Sequence, residues 1–303
     1  MHLQIYSSLD LRSSTMTSHT HQTAPTQYVE SNGTRFAYRR FGKTGAVPLV
    51  FNMHFMGTMD HWDPAVTDGF AKEREVILFD NAGVSSSSGY VPGSFAEMGA
   101  NAITFIKALG LKEVDVLGFS IGGLVAQEIA LQAPHLVRRL VLVGTGPRSG
   151  DSMDTGTPEG NQIFSANYEH PDDLWLRVHF TPSEASQAAG RKFLKRFRLR
   201  IKDRDPEVTE KAALAQRTAI AKWGAKHEHA WGYLKDIEQP TLVVNGSSDV
   251  IIYTINSYIL EQNLPNAQLI IYPDSAHGSL YQYPELFVRH VSTFLSAADP
   301  WAP

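Results

Sequence analysis

Apolar residues in this chain fall in short dense runs, separated by longer stretches in which apolar and polar positions recur at helical spacing. PLVFNMH is followed by a helical stretch, then EVILFD, then SFAEMGANAITFIKALG; VDVLGFS, IGGLVAQEIALQAP ending at Pro134, and RLVLVGT come next. The rhythm resumes late in the chain with PTLVVNGSSD, INSYILEQNL, AQLIIYPDSAHG and PELFVRHVSTFL. Dense runs alternating with helices predict parallel strands joined by crossovers and buried on both faces. Ahead of them, YVESNGTRFAYRRF alternates apolar and polar residues on either side of Asn32-Gly33, which predicts a tight β-hairpin. The expected fold class is α/β, with a mostly parallel central β-sheet flanked by helices.

The alternation breaks between Pro147 and Gly232, where a loop rich in Gly, Asp and Thr leads into helical text without a convincing strand. This predicts an inserted helical cap over residues 147–232, with the α/β core formed by 28–146 and 233–303. Residues 1–27 are polar and rich in Ser and Thr, and a disordered tail is expected there. A transit peptide is the alternative, against which the single arginine, Arg12, argues.

Composition narrows the function. The 303 residues are 43% hydrophobic and 19% charged with a net charge of -4, which offers no overall field for nucleic acid or an anionic membrane. With no cysteine, disulfides, thiolate metal sites and cysteine nucleophiles are excluded. Neither a membrane-length apolar stretch nor a secretory h-region is apparent, so a cytoplasmic protein is expected. The expected partner is a small-molecule substrate; monomer and homodimer both remain open.

The chemistry centres on GFSIGG, Gly118 to Gly123. A G-x-S-x-G string arises by chance about 0.1 times in a chain of this length, so its context decides its meaning. Ser120 ends a strand run and begins a helix, the setting of a nucleophile on a sharp turn. Gly118 and Gly122 then suit a close approach of strand and helix backbones. The alternative is an ordinary helix N-cap serine. A serine nucleophile needs a base and a group to orient that base. Asp249 and His277 each follow a predicted strand, and the carboxyl ends of parallel strands line the ligand crevice. Asp274, three residues before His277, is the rival carboxylate but fits better as a turn former.

In its elbow, late Asp and late His, the sequence resembles the α/β-hydrolase superfamily from Tyr28 to Leu295. The resemblance implies Ser120 as nucleophile, His277 as general base and Asp249 as orienting acid. It also implies an oxyanion hole built from the backbone N–H of Ile121 and a second donor from NMHFMGTMDHW. His54 matches the family pattern there, but Phe55 stands in place of the usual glycine and Gly57 follows later, so Phe55 and Met56 both remain candidates. His54 is expected to brace this loop. Asp80 and Gly83 resemble a structural turn of the family in which Ser85 replaces a second glycine. His290 and His227 are expected to be structural or solvent-facing.

The cap and its exit carry Trp175, Phe180, Phe193, Phe197, Trp223, Trp231 and Tyr233, which could line an apolar pocket or simply pack together. RKFLKRFRLRIKDRD reads as an amphipathic cap helix with one solvated face; membrane or nucleic-acid binding and the steering of a substrate carboxylate are the other readings. The leading expectation is a serine hydrolase of small to medium, largely apolar esters or lactones, requiring no metal or organic cofactor. Carbon–carbon bond hydrolases and cofactor-free haloperoxidases of the family share the triad. A small-molecule receptor with a slow or vestigial triad is the alternative of another class.

Overall fold

The computed structural model describes residues 19–298. Eight strands form one sheet in the order β1-β2-β4-β3-β5-β6-β7-β8. They are β1 (Gln27–Ser31), β2 (Thr34–Gly42), β3 (Leu49–Asn52), β4 (Glu75–Phe79), β5 (Val114–Phe119), β6 (Val137–Val143), β7 (Thr241–Gly246) and β8 (Ala267–Tyr272). β1 and β2 form the predicted antiparallel hairpin, with Asn32 and Gly33 both at positive φ between the paired Ser31 and Thr34. β2 is also antiparallel to β4, and every later pairing is parallel.

The helices are α1 (Pro64–Ala71), α2 (Phe95–Ala108), α3 (Ile121–Gln132), α4 (Pro158–Ser165), α5 (Pro171–His179), α6 (Glu184–Phe197), α7 (Glu210–Gly224), α8 (Ile255–Asn263), α9 (Ser279–Gln282) and α10 (Pro284–Ser296). Helices α2 and α3 bury Phe105, Ile106 and Leu124 in one core cluster. On the other, Phe70 of α1 and Phe287 of α10 pack with Phe51 and Leu78. The central strands β3 to β5 are buried throughout, whereas β8 at the sheet edge leaves Gln268 and Ile271 exposed. Burial on both faces therefore holds for the middle of the sheet and ends at its rim.

Between β6 and β7 the described chain is helical, with α4 to α7 laid over the carboxyl ends of the strands. Residues 1–18 of the expected tail lie outside the described residues. Residues 19–26 do not behave as a loose tail: Ala24 is fully buried, and Arg200 donates to the carbonyls of His21, Gln22 and Ala24 at 3.0 Å each. A buried guanidinium needs several acceptors, and this turn supplies them. Among the described residues, no helix is long and apolar enough to cross a membrane.

Candidate active site

Ser120 sits between β5 and α3 at φ 57° and ψ -123°. A non-glycine residue adopts this conformation at a steric cost that the surroundings must hold in place. Its N–H donates to the Val143 carbonyl at 2.9 Å, which fixes the turn to the neighbouring strand. The flanking glycines are required by space. A Cβ on Gly118 would lie 2.2 Å from the Gly122 carbonyl oxygen, and one on Gly122 only 2.0 Å from that of Asn52. Ser120 holds the N-cap position of α3, yet its side chain makes no capping bond. The ordinary N-cap alternative therefore does not describe it, and the hydroxyl is left for other use.

His277 and Asp249 converge in the fold although 28 residues separate them in sequence. His277 Nδ1 lies 2.8 Å from Asp249 Oδ2, and both residues are buried. Asp249 Oδ1 accepts the N–H groups of Ile251 and Ile252 at 2.9 and 3.1 Å, so the carboxylate is held at both ends. With Nδ1 engaged, the imidazole turns its Nε2 edge away from Asp249. Phe119, which precedes Ser120, packs against the His277 ring at 5.0 Å between centroids.

Asp274 is occupied elsewhere. It accepts hydrogen bonds from Thr181 and Ser183, both at 2.6 Å, and so ties the start of α6 to the loop before His277. These bonds hold its carboxyl below the ordinary value. His290 stacks on Tyr272 and meets its hydroxyl at 2.9 Å, in a structural role.

The two candidate amides of the loop after β3 differ in their bonding. Met56 N–H donates to Gln216 Oε1 at 2.9 Å, leaving Phe55 N–H without a protein acceptor among the described residues. Ile121 opens α3, where first-turn amides have no intrahelical acceptor. His54 Nδ1 lies 2.8 Å from the Phe55 carbonyl, a bond within this loop. Asp80 ties the loop from beneath by accepting the N–H of Met59, and burial holds its carboxyl well above the ordinary value.

Sequence reasoning missed the imidazole wall around His277. His54, His61 and His179 pack with Trp175 at ring-centroid distances of 5.5, 5.3 and 5.0 Å. His179 also lies 6.0 Å from His277. Burial drives the pKa of His54 down to about 3 and that of His61 to about 4, and holds His179 well below its usual value. The hydrogen bonds assign the tautomers: His54 and His179 give their Nδ1 protons to the carbonyls of Phe55 and Trp175, whereas His61 Nδ1 accepts from Thr58 N–H. Among the described residues, no three His, Asp or Glu side chains are arranged to hold a metal ion.

The basic run is less solvated than its sequence suggests. Phe193 and Leu194 are buried and Lys192 and Lys195 exposed, as an amphipathic helix requires, but Arg196 grips the buried Asp63 and Arg198 pairs with Asp172. Arg200 is buried against the N-terminal segment. The run fastens the helical insertion to the core.

The chain as a whole is similar to known proteins. A family profile described as the alpha/beta hydrolase fold matches residues 47–284. A solved structure of an alpha/beta hydrolase fold protein from Chitinophaga pinensis is 43% identical, covers 92% of this chain and all of its own, and superposes with a TM-score of 0.86. A poly(3-hydroxyalkanoate) depolymerase of Ectopseudomonas oleovorans is 31% identical over 251 residues, 78% of this chain and 80% of its own. A pimeloyl-[acyl-carrier protein] methyl ester esterase of Nitrosomonas europaea is 28% identical over 180 residues, covering 57% of this chain and 68% of its own. With the profile spanning most of the chain, and the sheet order and serine turn in place, the protein belongs to the α/β-hydrolase family.

Proposed function

We propose that the protein is a serine hydrolase that cleaves a carboxylic ester or lactone of a small to medium, uncharged, largely apolar substrate through an acyl-enzyme. The observation that carries this reading is the buried His277–Asp249 pair at 2.8 Å on the same sheet edge as Ser120, whose hydroxyl is not used for capping. Ser120 Oγ attacks the carbonyl carbon while its proton passes to His277 Nε2. The oxyanion is met by the N–H groups of Ile121 and Phe55, each such donor contributing about 3–4 kcal/mol to the transition state. Met56, the other candidate from the sequence, has given its N–H to Gln216.

Collapse of the tetrahedral intermediate breaks the ester C–O bond, and the imidazolium returns its proton to the leaving alkoxide. Water, deprotonated by His277, then attacks the acyl-enzyme and releases the acid and free Ser120. The preference for an uncharged substrate follows from the wall. His54, His61 and His179 are neutral imidazoles among aromatic rings, and a buried charge would find no counter-ion among them. The relative named as a methyl ester esterase supports the bond type.

The test is a fluorophosphonate probe with intact-mass analysis and peptide mapping on the wild type and Ser120→Ala, followed by turnover of a panel of neutral esters, lactones and vinylogous diketones. One adduct on the Ser120 peptide together with ester or lactone turnover is expected. Turnover confined to the diketones would replace the bond type with carbon–carbon cleavage. Labelling without sustained turnover of any member would replace the enzyme with a receptor.

A further inference from the structure

Helix α7 touches the loop after β3 through two consecutive residues. Gln216, itself buried, accepts the Met56 N–H at 2.9 Å, and the Arg217 guanidinium lies over the Phe55 ring, 5.5 Å from its centroid. Met56 sits at φ 55°, in the left-handed region that a methionine occupies only when its neighbours hold it there. Gln216 also lines a cavity of about 40 Å³ together with Asn52, His54, Ile121 and Gly122. One helix of the insertion thus touches the loop that carries Phe55 and lines a cavity in common with Ile121.

We propose that Gln216 is a positioning residue for the oxyanion hole. By accepting the Met56 N–H it fixes the 55–56 peptide, whose carbonyl His54 holds from the other side, and so restrains the adjoining Phe55 backbone whose N–H is offered to the oxyanion; Arg217 holds the same loop from its side-chain face. The inference rests on the reading of Ser120 as the nucleophile. It makes the hole a joint product of core and insertion, assembled only when α7 is seated. Phe55 in place of a glycine fits this arrangement, because its ring is the surface on which Arg217 rests.

The decisive variant is Gln216→Met, which keeps the volume of the side chain and removes the acceptor. Its kcat on a neutral ester should fall about 10- to 100-fold, with KM changed less than about twofold, and fluorophosphonate labelling of Ser120 should slow in step. Amide hydrogen exchange of the peptide spanning residues 53–58 should speed up while thermal unfolding stays within a few degrees of the wild type. Gln216→Ala should match Gln216→Met if the acceptor matters. Wild-type kcat in Gln216→Met with a loss only in Gln216→Ala would reduce Gln216 to packing and overturn the proposal. A rise in kcat would also overturn it, by showing that Gln216 competes with the oxyanion for Met56 N–H. Unchanged exchange across residues 53–58 would sink the clamp independently of any activity. Failure of the wild type to label at Ser120 would strike instead at the nucleophile assignment.

Discussion

Asp249 reaches His277 with one oxygen and its own backbone with the other: Oδ2 lies 2.8 Å from His277 Nδ1, while Oδ1 accepts from Ile251 and Ile252. The two Oδ1 bonds remove the freedom of the carboxylate to rotate, so Oδ2 is always presented to the imidazole. Replacing it by an amide changes the tautomer more than the shape, because an Asn Nδ2 donates where a carboxylate accepts. Asp249→Asn should therefore lower kcat by about 10³–10⁴-fold with little change in KM. Steady-state kinetics on a neutral ester would check this, and a loss smaller than about tenfold would mean that Asp249 does not orient the base.

The serine turn makes a second, steric prediction. Gly122→Ala would place a methyl group 2.0 Å from the Asn52 carbonyl oxygen, a backbone atom that has no rotamer by which to move away. Either α3 or the end of β3 must shift, at a cost of about 1–3 kcal/mol, and these elements adjoin the proposed nucleophile Ser120 and the loop that carries Phe55. Activity should fall by more than the stability loss explains, as read by comparing residual kcat with the urea midpoint. Wild-type activity in this variant would show that the close approach is not needed.

Much of this was written in local text. The hairpin at Asn32-Gly33, the dense strand runs and the serine turn all depend on neighbours in sequence, and each is found where the pattern places it. Asp249 and His277 were legible because strand ends share one edge of a parallel sheet. The imidazole wall was not, since His179 and Trp175 join the stacked His54 and His61 only when α5 folds back over the loop after β3. For the same reason the sequence carries no signal for the contacts of Gln216 and Arg217 with the loop after β3. The basic run misled in a physical sense: only its first half is helical, α6 ending at Phe197, and buried Asp63 and the carbonyls of the N-terminal turn claim Arg196 and Arg200, which periodicity assigns to a helix with a solvated face.

Arg196 offers a direct measure of how firmly the insertion is fastened. It donates from Nε and Nη2 to Asp63, whose side chain is fully buried and whose Oδ1 also caps α1 at Ala65. Burial nonetheless leaves the Asp63 carboxyl above its ordinary value, so Arg196 only partly offsets its desolvation. Arg196→Ala should cost about 3 kcal/mol, near the lower end for a broken buried pair because Arg196 retains 27% exposure. Combining Asp63→Asn with Arg196→Met should recover most of that loss, since no charge is then stranded. Urea unfolding of the two single variants and the double variant would decide, and simple additivity would mean that the pair is not coupled.

Buried imidazoles also predict how stability depends on pH. Burial lowers the folded pKa of His21 and His54 to about 3 and of His61 to about 4, and holds His179 well below 6.5. In the unfolded chain each titrates near 6.5. Between these values the unfolded state binds protons that the folded state does not, so stability rises with pH and is lost as pH falls through 6.5. From pH 7 to pH 6 each imidazole contributes at most about 0.7 kcal/mol of that loss, or roughly 2–3 kcal/mol for the four together. Asp205, raised by burial to about 6, and Asp80, held by burial well above the ordinary carboxylate value, work in the opposite direction. Their folded forms retain protons that the unfolded chain gives up above the ordinary carboxylate range, which blunts the slope without reversing it. Urea unfolding should therefore show lower stability at pH 6 than at pH 7. His21→Gln, at a residue whose ring bonds Thr67 of α1, should remove about a quarter of the imidazole part. An unchanged difference in that variant would mean that His21 is not held neutral by the fold.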